Sequence, residues 1–291
     1  MANLKEVKER INSVSSTQQI TKAMKMVAAA KLRRAQDKIT QMRPYSQKLS
    51  AILNNISSGA EGSTDIVYAR ERPVERVLVV AITSDKGLCG AFNSNIVKAS
   101  MLAINEKFSG KQVTVMPIGK KAFDFFKKKD FPLISDHYQL FEEVSFEPVK
   151  KAAEEVMEAF VEGTFDQVVL IYNEFKNVAT QLVVQEQFLP IARVEQAEGD
   201  AQNRQEYIVE PSREYIIEEL VPNSLKIQFY KAILDSNASE HGARMTAMSK
   251  ATDNAAELLK DLKLVYNRTR QAAITNEILE IVAGANALEG N

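Results

Sequence analysis

The sequence predicts an α/β protein: a long antiparallel two-helix coiled coil built from both chain ends, with a central, mostly parallel α/β domain between them. Three observations lead there. From Ala2 to Ser58 there is no glycine and a single proline, Pro44, while apolar residues recur at alternating three- and four-residue spacing. From Ser212 to Leu288 a second such stretch is interrupted only by Pro222, Gly242 and Gly284. Between them, apolar strand-like runs alternate with helical patterns. At about 1.5 Å per residue the two ends are rods of roughly 85 Å and 115 Å, far beyond the ordinary globular helix of about 11 residues.

In the first rod two seven-residue series interleave. One runs Leu4, Ile11, Gln18, Lys25, Leu32, Ile39, Ser46, Leu53, and the other Val7, Val14, Thr21, Ala28, Ala35, Met42, Leu49, Ile56. Most positions are apolar, as a coiled-coil seam requires. Three of the four polar exceptions gather between Gln18 and Lys25, where the seam loosens or meets a different partner. In the second rod the seam runs Ile227, Tyr230, Leu234, Asn237, His241, Met245, Met248, Thr252, Ala255, Leu259, Leu262, Tyr266, Thr269, Ala273, Asn276, narrower and more polar. Pro222 is expected to start or bend this helix, leaving Ser212 to Leu220 as a separate short one.

In the middle, Arg76 to Thr83 reads as a buried strand, followed by a glycine-containing turn and a helix from about Asn93 to Phe108. Gln112 to Ile118 is a strand, Lys120 to Lys129 a helix, Glu147 to Glu162 another helix, and Asp166 to Tyr172 a strand. Thr180 to Phe188 alternates, as a half-exposed antiparallel edge strand does. The βαβ order makes this part Rossmann-like. The expected organisation is a discontinuous shaft of residues 1–58 and 210–291, an α/β foot of residues 73–193, and linkers at 59–72 and 194–209.

If rods attached at their inner ends pair, they run antiparallel. Residue 57 is then level with about 210 and Met1 with about 267, so that the helix beyond about Arg268 projects alone. In that projection, Ile278-Leu-Glu-Ile-Val-Ala-Gly-Ala-Asn-Ala-Leu288 is apolar on every side. Such a helix must be enclosed, and eleven residues are too few for a bilayer, so a protein socket is expected.

The 291 residues carry 45% apolar and 26% charged residues with a formal net charge of −1, which offers no global field for nucleic acid or membrane surfaces. Charge is unevenly placed. Residues 1–45 hold ten Lys or Arg against three acids, and Lys22, Lys25, Lys31, Arg33 and Arg34 form a belt without an acid from Ile11 to Gln36. That belt reads either as a solvated face or as the match to an acidic protein collar. Cys89 is the only cysteine, which excludes an internal disulfide, and two histidines make a metal cluster improbable on composition. The start of the chain has no apolar signal core and reads as a bacterial-type mature terminus.

Ser84-Asp-Lys-Gly-Leu-Cys-Gly-Ala-Phe-Asn93 follows a strand and precedes a helix, where α/β folds bind phosphate. It lacks GxxxxGK[ST] and GxGxxG, so a structural turn or docking loop is the reading preferred over a nucleotide site. Lys86 reads as solvated and Cys89 as a small buried residue rather than a nucleophile. No nucleophile, base and orienting partner assemble elsewhere.

Three stretches resemble the gamma subunit family of the F-type rotary ATP synthase: Arg10 to Lys31 around Thr-Lys-Ala-Met-Lys-Met-Val-Ala-Ala-Ala, Thr83 to Asn93, and Ala243 to Ala285. The resemblance implies a central shaft turning inside a ring of three alpha and three beta subunits, its foot gripping the membrane rotor ring of c subunits together with the epsilon subunit. It implies proton-coupled ATP synthesis with catalysis on beta, no catalytic site or cofactor on this chain, and a peripheral place on the cytoplasmic face of a bacterial inner membrane. By the same resemblance Met24 and Lys25 lie beside the lever loop of beta. Arg270, Gln271 and Thr275 make the upper contact with beta, and Ile278, Leu279, Ile281, Val282, Ala285 and Leu288 sit in the apolar bearing. Lys86, Gly87, Cys89 and Gly90 belong to a foot-side turn. The regulatory cysteine pair of the chloroplast form is absent, so thiol control is not expected. The competing classes are an enzyme using the α/β domain and a free-standing coiled-coil tether.

Overall fold

A computed structural model describes residues 4–58, 67–142, 144–191 and 213–289. The 194–209 linker and residues 59–66 of the other linker lie outside the described residues, as does the Leu288 side chain of the tip. Among the described residues the α-helices and strands are, in order, α1 (Leu4–Ser58), β1 (Arg76–Ile82), α2 (Phe92–Leu102), β2 (Gln112–Ile118), α3 (Lys120–Phe126), α4 (Phe146–Val161), β3 (Gln167–Phe175), β4 (Gln181–Leu189) and α5 (Arg213–Glu289). The chain divides into two compact units, Ala29–Arg244 and Met1–Ala28 with Met245–Asn291.

In the larger unit a four-stranded sheet has the order β2-β1-β3-β4, with β1 parallel to both neighbours and β4 antiparallel to β3. β4 ends the strand order and is antiparallel to β3, the predicted edge position, and its Leu182 and Val183 remain exposed. Val77 to Ile82 are wholly buried because helices cover both faces. Leu78, Val80 and Ile82 join the core formed with α1, α4 and α5, which contribute residues such as Leu32, Ile39, Val149, Phe160, Phe229 and Ile233. Val77, Val79 and Ala81 face the other way, toward Ile96 of α2 and Phe126 of α3. A one-residue slip of β1 would exchange these two sets.

Several boundaries move from their predicted places. The helix expected from about Asn93 to Phe108 is α-helical to Leu102 and continues as a wider π-helical turn over Ala103–Lys107. The helix expected to reach Lys129 stops at Phe126. A seven-residue helix leaves most of its terminal N–H groups unpaired, and here the β1 loop satisfies three, one of them Lys121 N–H through the Ser84 carbonyl at 3.1 Å. Lys120 N–H donates to the Asp85 carboxylate at 2.8 Å and Ala122 N–H to Thr83 Oγ1 at 2.8 Å. Gly119 at the entrance has φ +91°, and a Cβ there would sit 2.1 Å from the Thr83 carbonyl oxygen, so only glycine fits.

The expected separate helix from Ser212 to Leu220 does not exist, because α5 runs unbroken from Arg213 through Pro222. Pro222 costs one helical hydrogen bond, but Glu218, whose carbonyl loses its partner, is exposed to water. Val221 and Leu225 on either side are buried, and their burial keeps the helix on course.

In the smaller unit the amino-terminal part of α1 pairs with the carboxy-terminal part of α5. The Thr21 and Thr252 hydroxyls share a 2.8 Å hydrogen bond, and Lys25 Nζ donates to Ser249 Oγ at 2.9 Å. These contacts set an antiparallel register in which paired residue numbers total about 273. The unpaired end of α5 thus begins near residue 270, a turn or so beyond the expected position.

Candidate functional surfaces

The polar interruption of the first seam is not a gap. Thr21 is buried and meets Thr252, while Lys25, though at a seam position, is exposed and reaches Ser249 along the helix pair. α5 therefore supplies hydroxyls at the places where α1 loses its apolar residues. Met24 beside them is half-buried, and Ile20, Met26 and Val27 are exposed around it. Exposed apolar residues next to a cation on a stiff helix form a surface suited to a partner, not to water.

Arg270 and Gln271 are exposed, and the Thr275 hydroxyl donates to the Gln271 carbonyl at 2.9 Å, one turn back on the same helix. The three lie along one stretch of α5 with their remaining hydrogen-bonding capacity directed outward. Beyond them Ile278, Leu279, Ile281 and Val282 are exposed, Ile281 by 71% and Leu279 by 60%, and Ala285 is exposed as well. Leaving four large aliphatic side chains in water forgoes about 1.5–3 kcal/mol each relative to burial, a strong bias toward an enclosing partner.

The turn between β1 and α2 is built inward. Ser84 N–H donates to Asn93 Oδ1 at 2.9 Å, the Ser84 hydroxyl to the Lys86 carbonyl at 2.7 Å, and Asn93 Nδ2 to Ser84 Oγ and Cys89 Sγ at 2.9 and 3.2 Å. The Lys86 and Gly87 carbonyls are taken by Arg244 of α5. A phosphate cradle presents free backbone N–H groups. Here the Ser84 N–H is consumed by Asn93, and the helix α3 amides beside the loop by Asp85 and Thr83. Cys89 is buried, and that burial pushes its thiol above the ordinary value, against a nucleophilic role. Lys86, Gly87 and Gly90 are exposed on the rim.

Sequence reasoning did not find Arg244 or its partner. Arg244 forms an ion pair with Glu240, one turn earlier on α5, and both side chains are almost fully buried. His241 between them accepts from Arg244 through Nδ1 at 3.4 Å. Burial, then the Arg244 and Lys31 charges, hold its pKa down at about 4, so the ring is neutral. The signal available was a charged pair at i,i+4 on a helix, which ordinarily marks a solvated face. Among the described residues no group of three His, Cys, Asp or Glu is placed to hold a metal, and no helix is long and apolar enough to cross a membrane.

Comparison with known proteins places these surfaces in context. A family model described as ATP synthase matches residues 3–288. The ATP synthase gamma chain of Cytophaga hutchinsonii is 56% identical over 99% of both chains, and that of Flavobacterium johnsoniae 55% identical over the full length of both. Among solved structures, a chain of the Tetrahymena thermophila mitochondrial ATP synthase central stalk and c-ring is 29% identical, with TM-score 0.54 over 80% of this chain and 99% of that one. A chain of the Euglena gracilis mitochondrial enzyme, at 21% identity, shares the fold with TM-score 0.66 over 98% of this chain and 94% of that one.

Proposed function

This chain belongs to the ATP synthase gamma chain family, and we propose that it is the central rotor shaft of a proton-translocating F-type ATP synthase. In this reading it turns within three alpha and three beta subunits. Its α/β domain sits with the epsilon subunit on the ring of c subunits, at the cytoplasmic face of a bacterial inner membrane. Catalysis belongs to the beta subunits.

The observation that carries the proposal is the end of α5: a helix without a pairing partner beyond about residue 270 whose large aliphatic residues are exposed on all sides. An enzyme or a simple tether has no use for such a tip, whereas a shaft held in an apolar bearing requires it. The relatives named ATP synthase gamma chain support the same reading.

Mechanism follows from asymmetry. One shaft within three equivalent sites presents a different face to each, and so stabilises three conformations at once; turning it exchanges them. A shift of about 10⁴ between two states needs roughly 5.5 kcal/mol of differential contact, within reach of several charge and steric contacts. We assign that coupling chiefly to Met24 and Lys25 at the polar layer and to Arg270, Gln271 and Thr275 above it.

Two measurements test the reading. Affinity purification of the tagged chain from its host should return a three-fold ATPase ring; its absence would remove the proposal, and saturable nucleotide binding by the isolated chain would favour an enzyme. In assembled complexes, Lys25→Glu and Gln271→Ala should each lower ATP synthesis and ATP-driven proton pumping. Unchanged rates in both variants would refute the residue assignment while leaving the shaft intact.

A further inference from the structure

Leu88 is the tip of the β1–α2 loop and combines two costly features. Its backbone is left-handed, with φ 62°, and its side chain is 64% exposed. A non-glycine residue holds that backbone only where its surroundings impose it. The imposing groups lie on both sides. From within, Ser84, Cys89 and Asn93 knit the base of the loop, and Gly90 at φ 60° completes the turn. From α5, Arg244 spans the loop: Nη2 donates to the Lys86 and Gly87 carbonyls at 3.2 Å each, and Nε to the Gly87 carbonyl at 3.4 Å.

The guanidinium is itself fixed. Glu240 pairs with it one turn back, and the neutral Nδ1 of His241 accepts another of its hydrogens. A planar fork that reaches two carbonyls and a carboxylate together is something lysine cannot replace. Next to it, Gly242 lies 3.3 Å from the Phe175 ring by its would-be Cβ, so α5 is in close contact with the end of β3, and the Ser239 hydroxyl donates to the Asn173 carbonyl at 3.0 Å. Arg244 is also the last residue of the larger compact unit along α5.

We propose that Arg244 is a positioning residue that clamps the 84–90 loop to α5, so that Leu88 and Lys86 are presented as one rigid contact element turning with the helix. The inference rests on the shaft reading for its mechanical meaning, but the clamp exists or fails in the free chain. Torque borne by α5 passes to the loop through the Arg244 guanidinium rather than through flexible chain. The contact element is an aliphatic tip beside a lysine, which fits an apolar socket with an acidic rim on a neighbouring subunit of the complex.

Cys89, the only thiol, lies buried beneath this loop and reports on it without any added label site. In the purified full-length chain, Arg244→Gln is expected to raise the rate of Cys89 modification by a small maleimide about tenfold or more, the scale set by losing charge-assisted hydrogen bonds that gate a local opening. Arg244→Lys, which keeps the charge facing Glu240 but not the fork, should fall between. Val149→Ala in α4 serves as the comparator, since it loosens the core away from the loop. Equal acceleration by Val149→Ala, or an unchanged rate in Arg244→Gln, would overturn the clamp. In reconstituted complexes, Arg244→Gln should lower proton pumping per ATP hydrolysed, with partial rescue in Arg244→Lys. Faster Cys89 labelling with unaltered coupling would overturn the role in torque transfer.

Discussion

His241 shows how a polar residue can be legible in position and illegible in role. It was expected on the inner seam and it is there, but the charges that act on it come from two elements, Arg244 on α5 and Lys31 on α1. A folded-state pKa near 4, below the ordinary 6.5, means that the unfolded chain binds more protons between those values. Its contribution to stability is therefore complete above about pH 6.5 and lost as pH falls toward 4. Glu240 acts in the opposite sense. Burial raises its pKa despite Arg244, so its contribution is greatest below the ordinary carboxylate value and declines as pH rises through the folded one. Denaturant titration at pH 7 and pH 4.5 should show the native chain losing about 2 kcal/mol more than His241→Gln, the variant lacking the proton site. A second residue-scale case is Asp166. Burial tends to raise its pKa, but the Arg76 amide and guanidinium and the Glu75 amide outweigh it and hold the carboxyl below its usual range. It accepts from both amides at 2.8 and 3.1 Å at the mouth of the sheet. Asp166→Ala should cost about 2–3 kcal/mol in chemical denaturation, because two strand-entry donors are left unpaired.

At the scale of elements, the paired stretch of α1 and α5 joins apolar layers such as Val7, Ala28 and Met248 to one polar layer at Thr21 and Thr252. One hydroxyl donates across the pair and the other to its own helix, the carbonyls in reach being Gln18 for Thr21 at 3.0 Å and Met248 for Thr252 at 2.7 Å. A polar layer in an otherwise apolar seam sets register, since any slip strands its hydroxyls against aliphatic neighbours. Thr21→Val alone should cost about 1 kcal/mol, while the double change with Thr252→Val should cost less than the two single changes added together. Thermal or urea unfolding in a double-mutant cycle measures the difference. The seam, the strands and the edge position of β4 were legible because each rests on periodicity. What caps the start of α3 was not, because Asp85 and Thr83 reach it from 35 and 39 residues away in sequence. The continuity of α5 through Pro222 was likewise hidden, since it depends on what Val221 and Leu225 bury against.

For the whole molecule, the exposed tip carries a prediction that separates folding from function. Residues from 278 on are exposed wherever the structure describes their side chains, Ile278, Leu279, Ile281 and Val282 among them. Removing them should leave the unfolding temperature of the isolated chain nearly unchanged, within about 2 °C. In assembled complexes the same truncation should weaken retention of the shaft, measured by its loss during gel filtration. A large fall in thermal stability of the isolated chain would mean that the tip packs on the chain itself.

The amino-acid order alone determined the two rods, the antiparallel sense of their pairing, the alternation that makes the middle an α/β domain, and the apolar tip with no partner of its own. These are consequences of repeat length, which local sequence carries in full. Only the tertiary structure decided that the polar layer is satisfied across the pair, that Ser84, Cys89 and Asn93 hold their turn together from within, and that Arg244 ties this turn to a helix 157 residues away in sequence. Such contacts depend on where distant backbone carbonyls come to lie. A carbonyl has no residue type to announce it, so its partners become visible only once the chain has folded.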